Sequence, residues 1–208
     1  MGDVTSAADS IRPLLYGDVP LAEWQLGDAA FDRVRATLAA GDTTGAAAEL
    51  HAIVADRDRA ARDHLQAWHE LRALGEAPDN PSRLYGVVVD MPIGDDVDTL
   101  ATYADGTCRY VNHAGNVLVY EGDTAEIDRL ARAVIAIGST IAAQIGPWNG
   151  PRPPLPPATL RLSMLCAGGL FFGEGPVSAL ATEPLGGRLL TAATQLLHAL
   201  TKLEDEKS

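Results

Sequence analysis

The chain has 208 residues, a length suited to one large domain or to a compact domain with a helical extension. An apolar share of 47% supports a core without staples and excludes wholesale disorder, while two cysteines, Cys108 and Cys166, are too few for a disulfide framework. A formal charge of −12 argues against nucleic acid, since phosphate binding depends on clustered Lys and Arg, and disfavours an anionic membrane, so neither is expected as a partner.

With no signal-peptide pattern at its start, the expected location is a reducing cytoplasm. Every basic residue except Lys202 and Lys207 is an arginine, which together with the many alanines is the bias of a GC-rich bacterial genome. The opening Met1-Gly2-Asp3-Val4-Thr5-Ser6 fits the loose myristoylation pattern, but the acidic residue directly after Gly2 favours a chance match.

In chain order, the first seventy-five residues carry helical periods. Phe31, Val34 and Leu38 follow a cap at Asp28 and stop at Gly41; Leu50, Ile53 and Val54 mark a second helix from near Thr44; Ala61, Leu65, Trp68 and Leu71 mark a third, closed by Gly75. Residues 76–82, with two prolines, Asp79 and Asn80, form the boundary between a helical region (1–80) and an α+β region (81–208).

Beyond it the period becomes alternating. Tyr85 to Asp90, Thr99 to Ala104, Thr107 to Asn112 and Val117 to Glu121 are strand candidates. Asp105-Gly106 is a strong signal for a two-residue hairpin turn and Ala114-Gly115 a weaker one. Counting outward from them sets Tyr103 opposite Cys108, Ala101 opposite Tyr110, and Tyr110 opposite Val119. Leu100, Thr102, Arg109, Val111, Leu118 and Tyr120 then share the other face. Neither face is polar enough to stand in water, so both need cover, from the helices or from a second subunit.

Asp123 and Glu126 have capping-box spacing ahead of a helix bearing Ile127, Leu130, Val134 and Ile141, which Pro147 ends. The uncharged stretch from Ala133 to Pro151 is broken by Gly138, Ser139, Gln144, Gly146 and Pro147, and falls short of the roughly 20 apolar residues that cross a bilayer. Pro151 to Pro157 reads as a stiff internal crossover, with its PxxP spacing (Pro154, Pro157) as the functional alternative. A strand over Leu160 to Cys166 turns at Gly168-Gly169 into Leu170 to Gly173, and a last helix runs from about Gly187 to Leu203. Its leucines extend over only about two heptads, too few for a coiled coil.

The candidate chemistry is sparse. Cys108 and His113 are a thiol and a base, but an odd separation on one strand puts them on opposite faces. His64 and His69 are five apart and do not share a helix face; no His/Cys set has metal-ligand spacing, and no cofactor motif is present. Asp95, Asp96 and Asp98 form an acidic loop without the further ligands of an EF-hand. Gly168-Gly169 and Gly173-Glu174-Gly175 match no phosphate-loop fingerprint. Gly186, Gly187 and Arg188 stand where the last helix begins, so free N–H groups and a guanidinium could converge on an anion.

The expectation is an α+β protein: a helical region, then an antiparallel sheet of about five or six strands with two packed helices, in the order four strands, helix, two strands, helix. Function is not legible from these residues. The leading reading is a non-catalytic protein-interaction or sensing module, engaging a protein partner or a second copy. A small-molecule or anion-binding domain comes next, then an enzyme assembled from residues such as Asp95, Cys108, Arg109, His113 and Arg188.

Overall fold

A chain that changes period near position 80 has two kinds of amphipathic surface to bury, and the computed structural model, which describes residues 11–207, shows how it does so. The myristoylation-like opening lies outside the described residues. Two 3₁₀ turns, Arg12–Leu15 and Leu21–Glu23, lead into helices α1 (Ala29–Ala39), α2 (Thr43–Ala55) and α3 (Ala61–Ala73). Asp28 starts α1 by accepting from the N–H groups of Ala30 and Phe31 at 2.9 and 3.2 Å, and Asp42 starts α2 through Gly45 at 2.8 Å. Each satisfies donors that a helix N-terminus leaves open.

The second region forms β1 (Leu84–Ile93), β2 (Asp96–Tyr103), β3 (Cys108–Val111), β4 (Val117–Tyr120), α4 (Ala125–Ala142), β5 (Leu160–Cys166), β6 (Gly169–Gly175), α5 (Val177–Thr182) and α6 (Pro184–Lys207). The six strands make one antiparallel sheet in the spatial order β4-β3-β2-β1-β5-β6. The α+β class and the antiparallel sheet expected from the pattern are therefore what the chain adopts.

The register is not the one that two-residue turns would set. Cys108 lies opposite Thr102 rather than Tyr103, Tyr110 lies opposite Leu100 rather than Ala101, and Leu118 rather than Val119 faces Tyr110. Both turns hold three residues. The Tyr103 N–H bonds to the Thr107 carbonyl at 2.9 Å, and the Asn112 N–H to Asn116 at 3.0 Å, with Gly106 and Gly115 at φ +89° and +87°. A three-residue hairpin loop uses a left-handed glycine as its last residue. Asp105 fixes the longer loop by accepting from the backbone and hydroxyl of Thr107 at 3.0 and 2.8 Å. One extra residue per turn exchanges the faces of successive strands.

With that correction, Leu100, Cys108 and Tyr120 join Val87, Val89, Leu162 and Met164 beneath α4 and α6. Gly138 brings α4 close to β1: a Cβ there would stand 2.5 Å from Val87 Cγ2. On the opposite face Val88, Ala101, Tyr103, Val111 and Leu165 pack with Leu15, Phe31, Leu50, Leu65 and Leu71, so residues from both sides of position 80 share one core.

Three local expectations are also revised. The first hairpin continues to Ile93 and Asp96 around Gly94-Asp95; Pro92 is tolerated because β5 pairs only as far as Asp90, so the missing N–H would have met no strand. The Asp123 capping box does not form: Thr124 is the N-cap, makes no side-chain cap, and donates its hydroxyl to Asp123 at 3.0 Å. Instead the Tyr120 hydroxyl accepts from the N–H groups of Asp123 and Thr124 at 2.9 and 2.7 Å and reaches Asp128 at 2.9 Å. The last helix begins at Pro184 rather than Gly187 and is preceded by α5.

Candidate functional site

The buried polar groups are the first place to look for chemistry, and they hold the layers together. Asp90 accepts from the Tyr16 hydroxyl at 2.6 Å and from Thr99, its cross-strand neighbour, at 2.8 Å. Burial, then the Asp90 charge, pushes the Tyr16 hydroxyl pKa well above its ordinary value. Arg161, 2% exposed, binds Glu174 through Nε and Nη2 at 2.8 and 2.6 Å and donates to the carbonyls of Pro153 and Pro154 at 2.8 and 3.0 Å. The proline-rich connector is thereby tied down from within. Arg152 lies 3.8 Å from the Tyr16 ring centre and pairs with Asp18 at 3.3 Å. Sequence reasoning missed Asp90 and Arg161, although a charge inside each of two apolar strands was a usable signal.

The residues singled out from sequence do not converge. Cys108 is fully buried, and burial pushes its thiol pKa up to about 12. His113 sits in the β3–β4 turn, where its ring and N–H meet Asp98 at 2.9 and 2.7 Å. Asp98 also accepts from the Tyr110 hydroxyl at 2.6 Å. Burial opposes its charge, but the bonds from Tyr110 and His113 outweigh this and lower the Asp98 pKa. Of its acidic neighbours, Asp95 is in the turn and Asp96 opens β2 opposite Ile93. Arg109 pairs with Glu121 and bonds the carbonyls of Cys108 and Tyr120 at 2.8 and 3.2 Å. His64 meets the Asp56 carbonyl at 2.8 Å. Among the described residues no three His, Cys, Asp or Glu side chains are grouped to hold a metal ion.

The glycine pairs have packing roles. Gly168 donates to the Pro81 carbonyl at 2.8 Å, and a Cβ on it would stand 2.7 Å from Pro81 Cβ. Gly186 and Gly187 allow α5 to approach α6, since added Cβ atoms would meet the carbonyl oxygens of Leu180 and Ala181 at 2.9 and 2.4 Å. The Gly186 N–H already donates to the Glu183 carboxylate. Arg188 is exposed beside a cavity of about 540 Å³ between α4 and α6, which adjoins a second of about 660 Å³ at Gln195. Both are open grooves rimmed by mixed charge, the first by Glu183 and Arg188 and the second by Glu126, Arg129, Lys202 and Glu206.

The sheet edges differ sharply. At β6, the Trp148 N–H donates to the Leu170 carbonyl at 2.7 Å, and its ring lies 5.4 Å from that of Phe172. The other edge is open among the described residues. Antiparallel strands alternate between residues bonded to one neighbour and residues bonded to the other. The Asn112–Asn116 bond fixes that alternation, so Leu118 and Tyr120 bond β3 while Val117 and Val119 direct their N–H and C=O groups outward. Among the described residues nothing meets those groups. The two residues are 37% and 55% exposed, with their side chains on the face that the N-terminal helices cover farther in. An uncharged, unblocked edge strand is a template for another strand.

No family model, curated protein or solved structure matches the chain. Among the described residues no helix is long and apolar enough to cross a membrane.

Proposed function

We propose that this protein is a non-catalytic protein-interaction module that receives an extended segment along β4. The observation that carries the reading is the outward backbone of Val117 and Val119 beneath exposed side chains, on a sheet whose opposite edge is met at Leu170 by the Trp148 N–H. Strand addition takes affinity from main-chain hydrogen bonds and selectivity from alternate side chains. The formal charge of −12 supports a protein partner over a nucleic acid. The burial of Cys108 and the engagement of Asp98, Arg109 and Arg161 in bonds that hold strands and connector together support a structural role for these groups.

The test is a photo-crosslinking residue at position 119, compared with one at position 172, in living cells. An adduct at 119 that disappears with Val117→Pro, and has no counterpart at 172, is expected. Failure to trap any chain at 119, or equal trapping at both positions, would overturn the reading.

A further inference from the structure

Resting on that reading, we infer that the segment received by β4 is the β4 strand of a second copy, related by a twofold axis beside Leu118.

The geometry and charge pattern of the edge fit this occupant. A twofold axis perpendicular to the sheet preserves its faces, so residues that oppose one another across the axis must both be even or both be odd. Centring the axis on Leu118 sets Leu118 against its own copy, and Val117 against Val119 in both directions. Val117 and Val119 are the residues whose backbone groups point outward. Each Val117–Val119 pair can therefore exchange two N–H···O bonds, and the β3–β4 ladder is left intact. The edge is complementary to itself, as an isologous interface requires.

The side chains agree with this register. On one face, Val119 and Val117 of the two copies would form a four-valine patch, closing over the two most exposed apolar positions of the strand. On the other, Leu118 meets Leu118 with Tyr110 flanking on each side. The charge pattern permits it: β4 itself is Val-Leu-Val-Tyr, uncharged in a chain that carries −12 overall. Glu121, the nearest carboxylate, would oppose Gly115 rather than another acid, and Arg109 stays paired with Glu121 within its own copy. Shifting the axis to Val119 would instead press Val117 against Glu121.

The area sets the strength. Two four-residue strands and their valines bury less than the roughly 1,200 Å² of a stable complex, so the dimer is weak and concentration-dependent. It is a pairing of separate folded chains in which no element is exchanged.

Sedimentation equilibrium of the full chain from about 10 to about 500 µM, the range a small interface demands, is the test. A mass rising from the monomer's 21.9 kDa toward twice that value is expected. Val117→Pro deletes only an outward donor and should weaken association at least about tenfold, and Val119→Lys should do the same without touching the backbone. Leu118→Cys in a Cys108→Ala background should give a disulfide-linked dimer on mild oxidation, while Tyr120→Cys in that background should not. A chain that is monomeric throughout the range overturns the inference. So does a dimer that ignores both valine substitutions and gives no Leu118→Cys crosslink. If the purified chain is monomeric while position 119 still traps a different protein in cells, the edge-strand function stands and only the second copy falls; if position 119 traps nothing, the function itself falls.

Discussion

The two edges of this sheet pose the same physical problem and receive opposite treatment. Both β4 and β6 have a row of backbone groups without a neighbouring strand. β6 is blunted: three of its seven residues are glycine, Glu174 places a charge on it, and Trp148 takes the Leu170 carbonyl. The segment carrying Trp148 continues into the prolines held by Arg161. Among the described residues β4 has none of these devices. It is short, uncharged and apolar, and its cover stops one or two strands away, where Tyr103 and Val111 are buried but Val119 is not. Natural sheets suppress edge pairing by charge, bulges or covering loops. Where one edge is suppressed and the other is not, the open edge is the one free to pair.

This contrast can be broken most forcefully at β4 itself. Leu118 bonds inward and Val117 outward, so proline should discriminate between adjacent positions. Leu118→Pro is expected to cost at least about 3 kcal/mol in urea unfolding, by deleting a ladder bond and distorting the strand. Val117→Pro is expected to stay within about 1 kcal/mol. Equal losses would mean that the assigned directions are wrong.

At the covered edge, Arg161→Ala should cost about 2–3 kcal/mol, because it leaves the carbonyls of Pro153 and Pro154 without their buried donor and separates Glu174 from its partner. Hydrogen exchange at the Trp148 amide should accelerate in the same variant. If exchange there is unchanged, Arg161 does not hold the cover in place.

The two cysteines report on the two edges. Cys108 lies opposite Tyr120 across the β3–β4 ladder, and Cys166 opposite Gly169 across the β5–β6 ladder. Burial pushes both thiol pKa values up to about 12, so labelling near pH 8 must wait for local opening. Cys108 should label faster than Cys166, and denaturant should accelerate both by more than about a hundredfold. Labelling of native Cys108 as fast as a free thiol would contradict its burial.

The smallest effect is electrostatic. Asp98 has a lowered pKa, so its stabilisation is present above the unfolded carboxylate value of about 3.9 and is lost as pH falls through the folded value. Asp98→Asn should therefore destabilise by about 1 kcal/mol at pH 7, and the difference from the unsubstituted chain should shrink below about pH 4. A difference that is constant with pH would assign the loss to packing instead.

What the chain determined by itself was local. Asp28 before Phe31 and Asp42 before Gly45 start α1 and α2 because a short carboxylate can reach its own first-turn N–H groups, and Gly41 and Gly75 follow the ends of α1 and α3 by accepting positive φ. The alternating periods after Ser82 likewise located strands, because one face of each had to be apolar. The hairpin turns were located but not measured: whether Asp105-Gly106 closes a loop of two residues or three depends on bonds between Asp105 and Thr107, and that single residue decides which face Cys108 occupies. Asp90 and Tyr16 are 74 residues apart, and Arg12 reaches Asn112 across 100, so no window could pair them. The open edge was beyond sequence reading for the same reason. β4 is an edge because β5 pairs with β1, a partner far back in the chain, rather than with β4. A strand's own residues encode its propensity to pair; which side is left unpaired is a property of all six strands together.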